Sequence, residues 1–235
     1  MPPKIMRPYV LKRHPLQRLA SPALGFSSLL HFAGLSSFGA SYKYLIDYPT
    51  PINEAYGWHF QYLTILGLAL STLTFTLASL ADLTSSRPLF RLKNRVSVLA
   101  TPLEVLISTL YGALVSIDKE LVIPPEFQLG LLPDISFHAV PAVVLTVDYL
   151  LCSPPWGIRF REALGVSTVF AFGYWFWVEL CYRHNGWYPY PIFDVLGTPW
   201  RVVLFCFSGL LMAGSTEVLK WVYAKLNGVD HVKKA

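Results

Sequence analysis

The apolar stretches of this 235-residue sequence carry few groups able to do chemistry, His31, Glu104, His138, Asp148, Glu179 and Glu217 among them. An ionisable side chain in hydrocarbon is costly and faces the interior of a bundle. Most of these groups have structural partners within reach. Asp148 and Glu217 lie near stretch ends, where Arg159, Arg161 or Lys220 can pair with them, and Glu179 lies one helical turn before Arg183. Glu104, two residues after Pro102, reads as a buried hydrogen-bonding group. His31, near the middle of its stretch, reads as a core histidine bonded to neighbouring backbone. His138 differs because Thr64 matches it in depth. Each lies six residues into its own apolar stretch from the same side, about 9 Å below the boundary at 1.5 Å per residue. A hydroxyl within reach of an imidazole forms a nucleophile–base pair. The competing reading is structural, since Ser and Thr in membrane helices commonly bond their own backbone or a neighbouring helix. Depth alone leaves both readings open.

Other chemistries lack their residues. The sequence has no GxSxG elbow, HExxH, Walker lysine loop or GxGxxG after a strand. Its histidines are too few and scattered for a histidine-box iron site. No two acidic residues fall at matched depth as a carboxylate dyad would. Cys152, Cys181 and Cys206 show no metal spacing and read as buried thiols. No cofactor is implied.

The elements that must position Thr64 and His138 are six apolar stretches, roughly 22–41, 58–80, 96–117, 132–151, 163–182 and 202–223. Each has about the 20 residues that cross ~30 Å of hydrocarbon as a helix. Without water, the backbone must satisfy itself, so each is expected to be helical. The expected fold is an all-α, six-transmembrane-helix bundle over 22–223, with a basic N-terminal tail, 1–21, and a C-terminal tail, 224–235. A composition of 54% hydrophobic and 14% charged residues agrees. Pro102 and Pro141 fall inside stretches, where they are expected to kink a helix. Pro124, Pro125, Pro154 and Pro155 mark turns.

Positive charge is confined to alternate gaps. Lys4, Arg7, Lys12, Arg13 and Arg18 precede the first stretch, and Arg87, Arg91, Lys93 and Arg95 fill the second gap. Arg159 and Arg161 lie in the fourth gap, and Lys220, Lys225, Lys233 and Lys234 close the chain. By the positive-inside rule both termini are cytoplasmic. The net charge of +5 therefore reads as topology and contact with anionic membrane lipid rather than nucleic-acid binding.

Several segments, taken in order, resemble one family. They are Gln61-Tyr62-Leu63-Thr64, Asp82-Leu83, Pro102, Asp118-Lys119-Glu120-Leu121 with Pro124, His138 with Asp148 ten residues on, Gly186 through Gly197, and Glu217. The chain is similar over about 56–223 to the androgen-induced protein and androgen-dependent TFPI-regulating protein family. Its members are multi-span membrane threonine hydrolases that cleave fatty acid esters of hydroxy fatty acids. The resemblance implies Thr64 as nucleophile and His138 as catalytic histidine, the two residues that depth brings together. It implies a branched lipid ester as substrate, in the endoplasmic reticulum or plasma membrane. The chain departs from the family in a longer basic tail and in a longer first loop with Pro49 and Pro51. Only His184 stands for the family's histidines before the fifth loop.

A non-enzymatic transporter or lipid-binding protein is the alternative. A transporter calls for paired discontinuous helices at the midplane and often internal repeats. The sequence shows neither, and Thr64 and His138 lie above the midplane.

Overall fold

The computed structural model describes residues 13–123 and 129–228. Lys4, Arg7, Lys12, Pro124, Pro125, Lys233 and Lys234 lie outside the described residues. The chain is an antiparallel helical bundle, and no strand occurs among the described residues. Helix α1 spans Phe26–Asp47, α2 Leu63–Thr84 and α3 Arg87–Ile117. The fourth passage is broken into α4, Leu131–His138, and α5, Val140–Val147, which ends in a π-turn over Asp148–Cys152. Helix α6 spans Phe160–Asn185, the short α7 Ile192–Val195, and α8 Thr198–Asn227.

Helices α2, α3, α6 and α8 are long and apolar enough to cross a membrane, and the α4–α5 pair makes a fifth when counted as one span. Its halves meet at 41°. Pro141 explains the break: it has no N–H for the ladder, and its ring crowds the preceding turn. Helix α1 has the length, 22 residues, but is not apolar enough to pass on composition. Its sequence includes Ser27, Ser28, His31, Ser36, Ser37, Ser41, Lys43 and Asp47, so six spans remain an expectation.

Helices α2 and α3 form the central pair, with α1 and α4–α5 on one side and α6 and α8 on the other. Gly34 lets α1 close on α2, since a β-carbon there would lie 2.4 Å from the Phe75 ring. Across the α1–α4 contact the Ser41 and Ser136 hydroxyls bond at 2.7 Å. Outward-facing Leu29, Leu132, Val169, Phe176 and Trp221 are more than half exposed, as expected of a surface solvated by lipid.

The end at which α1 begins and α8 finishes carries most of the described basic residues. Part of the expected tail is tied down there. The Leu19 amide bonds to the Leu151 carbonyl at 2.9 Å, Gln17 is buried, and Tyr223 donates its hydroxyl to Leu16.

Beneath that end lies a closed charge network. His31 places Nδ1 2.7 Å from Asp82 and Nε2 2.9 Å from Asp148, and Lys93 reaches Asp148 at 2.5 Å. None of the four side chains is more than 1% exposed. Asp82 also accepts from Ser27 and the Ala23 amide. Three sequence expectations change here. His31 bridges two carboxylates instead of bonding backbone. Asp148 pairs with Lys93 and not with Arg159, Arg161 or Lys220. Lys93, counted above among the surface charges, is interior. Elsewhere, Glu179 pairs with Arg201 at 3.0 Å rather than Arg183, whereas Glu217 does meet Lys220, at 2.8 Å. Cys152 and Cys181 are buried as expected, but Cys206 is exposed.

Candidate active site

Thr64 is the second residue of α2, whose start is set by the preceding sequence. Residues Trp58–Gln61 form a 3-10 turn, Gly57 supplies the left-handed φ of 85° before it, and Tyr62 is extended. The helix therefore begins at Leu63, five residues later than the apolar stretch. Tyr62 caps it without a side-chain hydrogen bond, so its first N–H groups must find partners elsewhere. Tyr190, from the loop between α6 and α7, supplies one. Its hydroxyl oxygen accepts the Leu63 N–H at 3.0 Å, next to Thr64 in the chain. Tyr174 of α6 donates its hydroxyl to the Gln61 carbonyl at 2.9 Å, tying the turn to the bundle.

His138 is the last residue of α4, immediately before the break. Its Nδ1 lies 2.8 Å from the Asp134 carboxylate and 3.1 Å from the Asp134 carbonyl, one turn back. A carbonyl can only accept, so Nδ1 carries the hydrogen. In the neutral ring Nε2 is then the free acceptor, the form a general base needs. Tyr111 of α3 stacks flat on the imidazole with 3.6 Å between centroids, and its hydroxyl donates to the same Asp134 oxygen. The Ser108 hydroxyl donates to the His138 carbonyl at the broken turn. The ring is thus fixed by an acid and a stacked phenol, and its backbone by a hydroxyl.

Thr64 and His138 line one cavity at the end of the bundle opposite the basic residues, together with Tyr44, Thr50, Ile52, His59 and Tyr190. Thr64 is 9% exposed and the His138 side chain 12%. Among the described residues no hydrogen bond joins them. His138 Nε2 has no hydrogen-bond partner among the described residues. Thr64 also lines a second, deeper cavity between α3, α6 and α8, almost wholly apolar, with Leu103, Phe170 and Met212 on its wall.

Asp134 escaped the sequence reading although it lies inside the fourth stretch. The available signal was the Asp-x-x-x-His spacing, which puts both side chains on one face of a helix. Glu104 is buried and hydrogen-bonded as expected, accepting from Ser71 at 2.8 Å. Near the break, the Ala139 and Val143 amides bond to the Ile135 and Ala139 carbonyls. The described residues contain no cluster of His, Cys, Asp and Glu able to hold a metal.

The apolar spanning helices and lipid-like exterior define a multi-pass integral membrane protein, with a pocket of mixed apolar and polar lining at one end of its bundle. Residues 26–224 match the profile of the FAR-17a/AIG1-like protein family, and the chain belongs to that family. A UPF0641 membrane protein from Schizosaccharomyces pombe is 36% identical over 174 residues, covering 73% of this chain and 78% of that protein. No solved structure matches the chain.

Proposed function

We propose that the protein is an integral-membrane ester hydrolase that cleaves fatty acid esters of hydroxy fatty acids, with Thr64 as nucleophile and His138 as general base. The observation that carries this reading is the shared cavity, into which Thr64 and a histidine of fixed tautomer both face. A Thr hydroxyl is a weak nucleophile until a base takes its proton, a contribution of about 10²–10⁴-fold. Among the described residues no hydrogen bond joins that hydroxyl to His138 in the resting geometry, and such contacts commonly tighten only when substrate is bound.

The steps balance as an acyl transfer. Thr64 Oγ bonds to the ester carbonyl carbon as its proton moves to His138 Nε2. The C–O bond to the hydroxy fatty acid then breaks, and Nε2 returns the proton to the leaving oxygen. Water, deprotonated by the same nitrogen, hydrolyses the acyl-threonine. Asp134 positions the ring and stabilises its protonated form. The Tyr190 hydroxyl, its oxygen already anchored by the Leu63 N–H, is placed to donate to the developing oxyanion.

The location suits a lipid whose scissile bond lies partway along its chains. The clustering of basic residues at the opposite end supports cytoplasmic termini under the positive-inside rule, with the pocket opening on the other face.

The test is hydrolysis of a branched fatty ester by the purified protein, alongside intact mass after fluorophosphonate treatment. Wild type should turn over and gain one adduct on Thr64, while Thr64→Ala and His138→Ala should do neither. Full turnover by a folded Thr64→Ala protein would overturn the assignment. A folded wild type with neither turnover nor adduct would leave the transporter or lipid-binding reading.

A further inference from the structure

Thr64 stands in the wall between two cavities of different character. The deep one lies among α3, α6 and α8, and its polar lining is confined to a few hydroxyls such as Ser167 and Ser208. Along α3 it runs from Leu103 to Leu114, about 16 Å at 1.5 Å per residue. That is a narrow apolar slot parallel to the helices. The end cavity lies among α1, the first loop, the start of α2 and α4, and mixes apolar walls with Thr50, His59 and tyrosines. Thr64 and Tyr190 belong to both cavities; His138 belongs only to the end cavity.

That asymmetry has a chemical consequence, which rests on the hydrolase reading above. The proton taken from Thr64 must be returned to the leaving oxygen by the same Nε2, so the alcohol departs on the side of His138. The acyl group bonded to Thr64 then extends the other way. We propose that the two arms of the ester are sorted by the two cavities. The fatty acyl chain lies in the slot among α3, α6 and α8 and sets acyl-length preference, while the hydroxy fatty acid occupies and leaves through the end cavity. Deacylating water enters by the same polar route, so the acyl-threonine meets water only beside its base.

Ser208 and Ala171 line the slot and are small, so a bulky side chain at either shortens it. Ile52 lines only the end cavity. The experiment measures kcat/KM for 4-nitrophenyl esters from butyrate to palmitate with wild type, Ser208→Phe, Ala171→Phe and Ile52→Phe. A second series holds the palmitoyl group and varies the hydroxy fatty acid. Fluorophosphonate adduct formation on Thr64 shows that each variant is folded and active. The two slot variants should lower the palmitate-to-butyrate ratio by about tenfold or more, the scale on which a hydrophobic pocket discriminates chain length. Ile52→Phe should keep that ratio and instead alter preference in the hydroxy-acid series. An unchanged ratio in both adduct-forming slot variants, or the same fall in Ile52→Phe, would overturn the sorting and leave the hydrolase assignment standing. A wild type that neither hydrolyses an ester nor takes an adduct would remove both.

Discussion

Asp134 and His138 face each other across one turn of α4, with 2.8 Å between carboxylate and Nδ1, at the last residues before the helix breaks. The carboxylate holds the ring in the tautomer that leaves Nε2 open. Asp134→Asn keeps the shape but can turn its amide N–H toward the ring, which favours the wrong tautomer. The expected result is a fall in kcat of about 100-fold or more with KM within about threefold, because the acid acts on proton transfer and not on lipid binding. Asp134→Glu should recover part of the rate. A merely structural Asp134 would instead lower stability and leave kcat per folded molecule unchanged.

Among the described residues Tyr190, Thr64 and Val122 line both cavities. The Tyr190 hydroxyl also accepts the Leu63 N–H at the N-terminus of α2. Tyr190→Phe removes the proposed oxyanion donor and leaves the ring packed against Phe193. Loss of one such donor costs about 10²–10³ in kcat elsewhere, and a fall of about 100-fold is expected here. Steady-state kinetics checks this. Unchanged kcat would assign the hydroxyl to helix capping alone.

The broken turn after His138 frees its carbonyl, and Ser108 of α3 satisfies it. Ser108→Ala should cost about 1–3 kcal/mol of stability, the usual penalty for an orphaned buried acceptor. It should also loosen the ring, so kcat is expected to drop more than KM changes. Thermal melting in detergent and single-turnover kinetics read the two effects separately.

The helical class and the approximate bounds of the long passages were legible because apolar composition over a span length is a strong signal. Helix ends were not. Helix α2 begins at Leu63 and not Trp58, because Gly57 and the 3-10 turn after it use up the first residues. Helix α1 reads as a span by length but is diluted by its serines and charged groups. The common cavity of Thr64 and His138 agrees with their matched depth and follows from α2 and α4 being neighbours. Asp134 was not legible from depth between helices, because its tie to His138 is a four-residue spacing within one helix. The His31–Asp82–Asp148–Lys93 network was missed for the opposite reason. Its members come from four different elements, and nothing in linear spacing joins them.

That network supplies a stability prediction independent of catalysis. Asp148 is held by Lys93 and His31 inside the bundle, and neither the acid nor the lysine is exposed. Removing one partner leaves a charge in a medium that cannot solvate it, whereas removing both removes the penalty as well as the attraction. Lys93→Met should therefore destabilise by about 3–5 kcal/mol, and Asp148→Asn comparably. The double variant should melt higher than Lys93→Met, because no unpaired Asp148 carboxylate remains and His31 keeps Asp82. Thermal unfolding of the four proteins in one detergent closes the cycle. Additive losses would mean that Lys93 and Asp148 do not act as a pair.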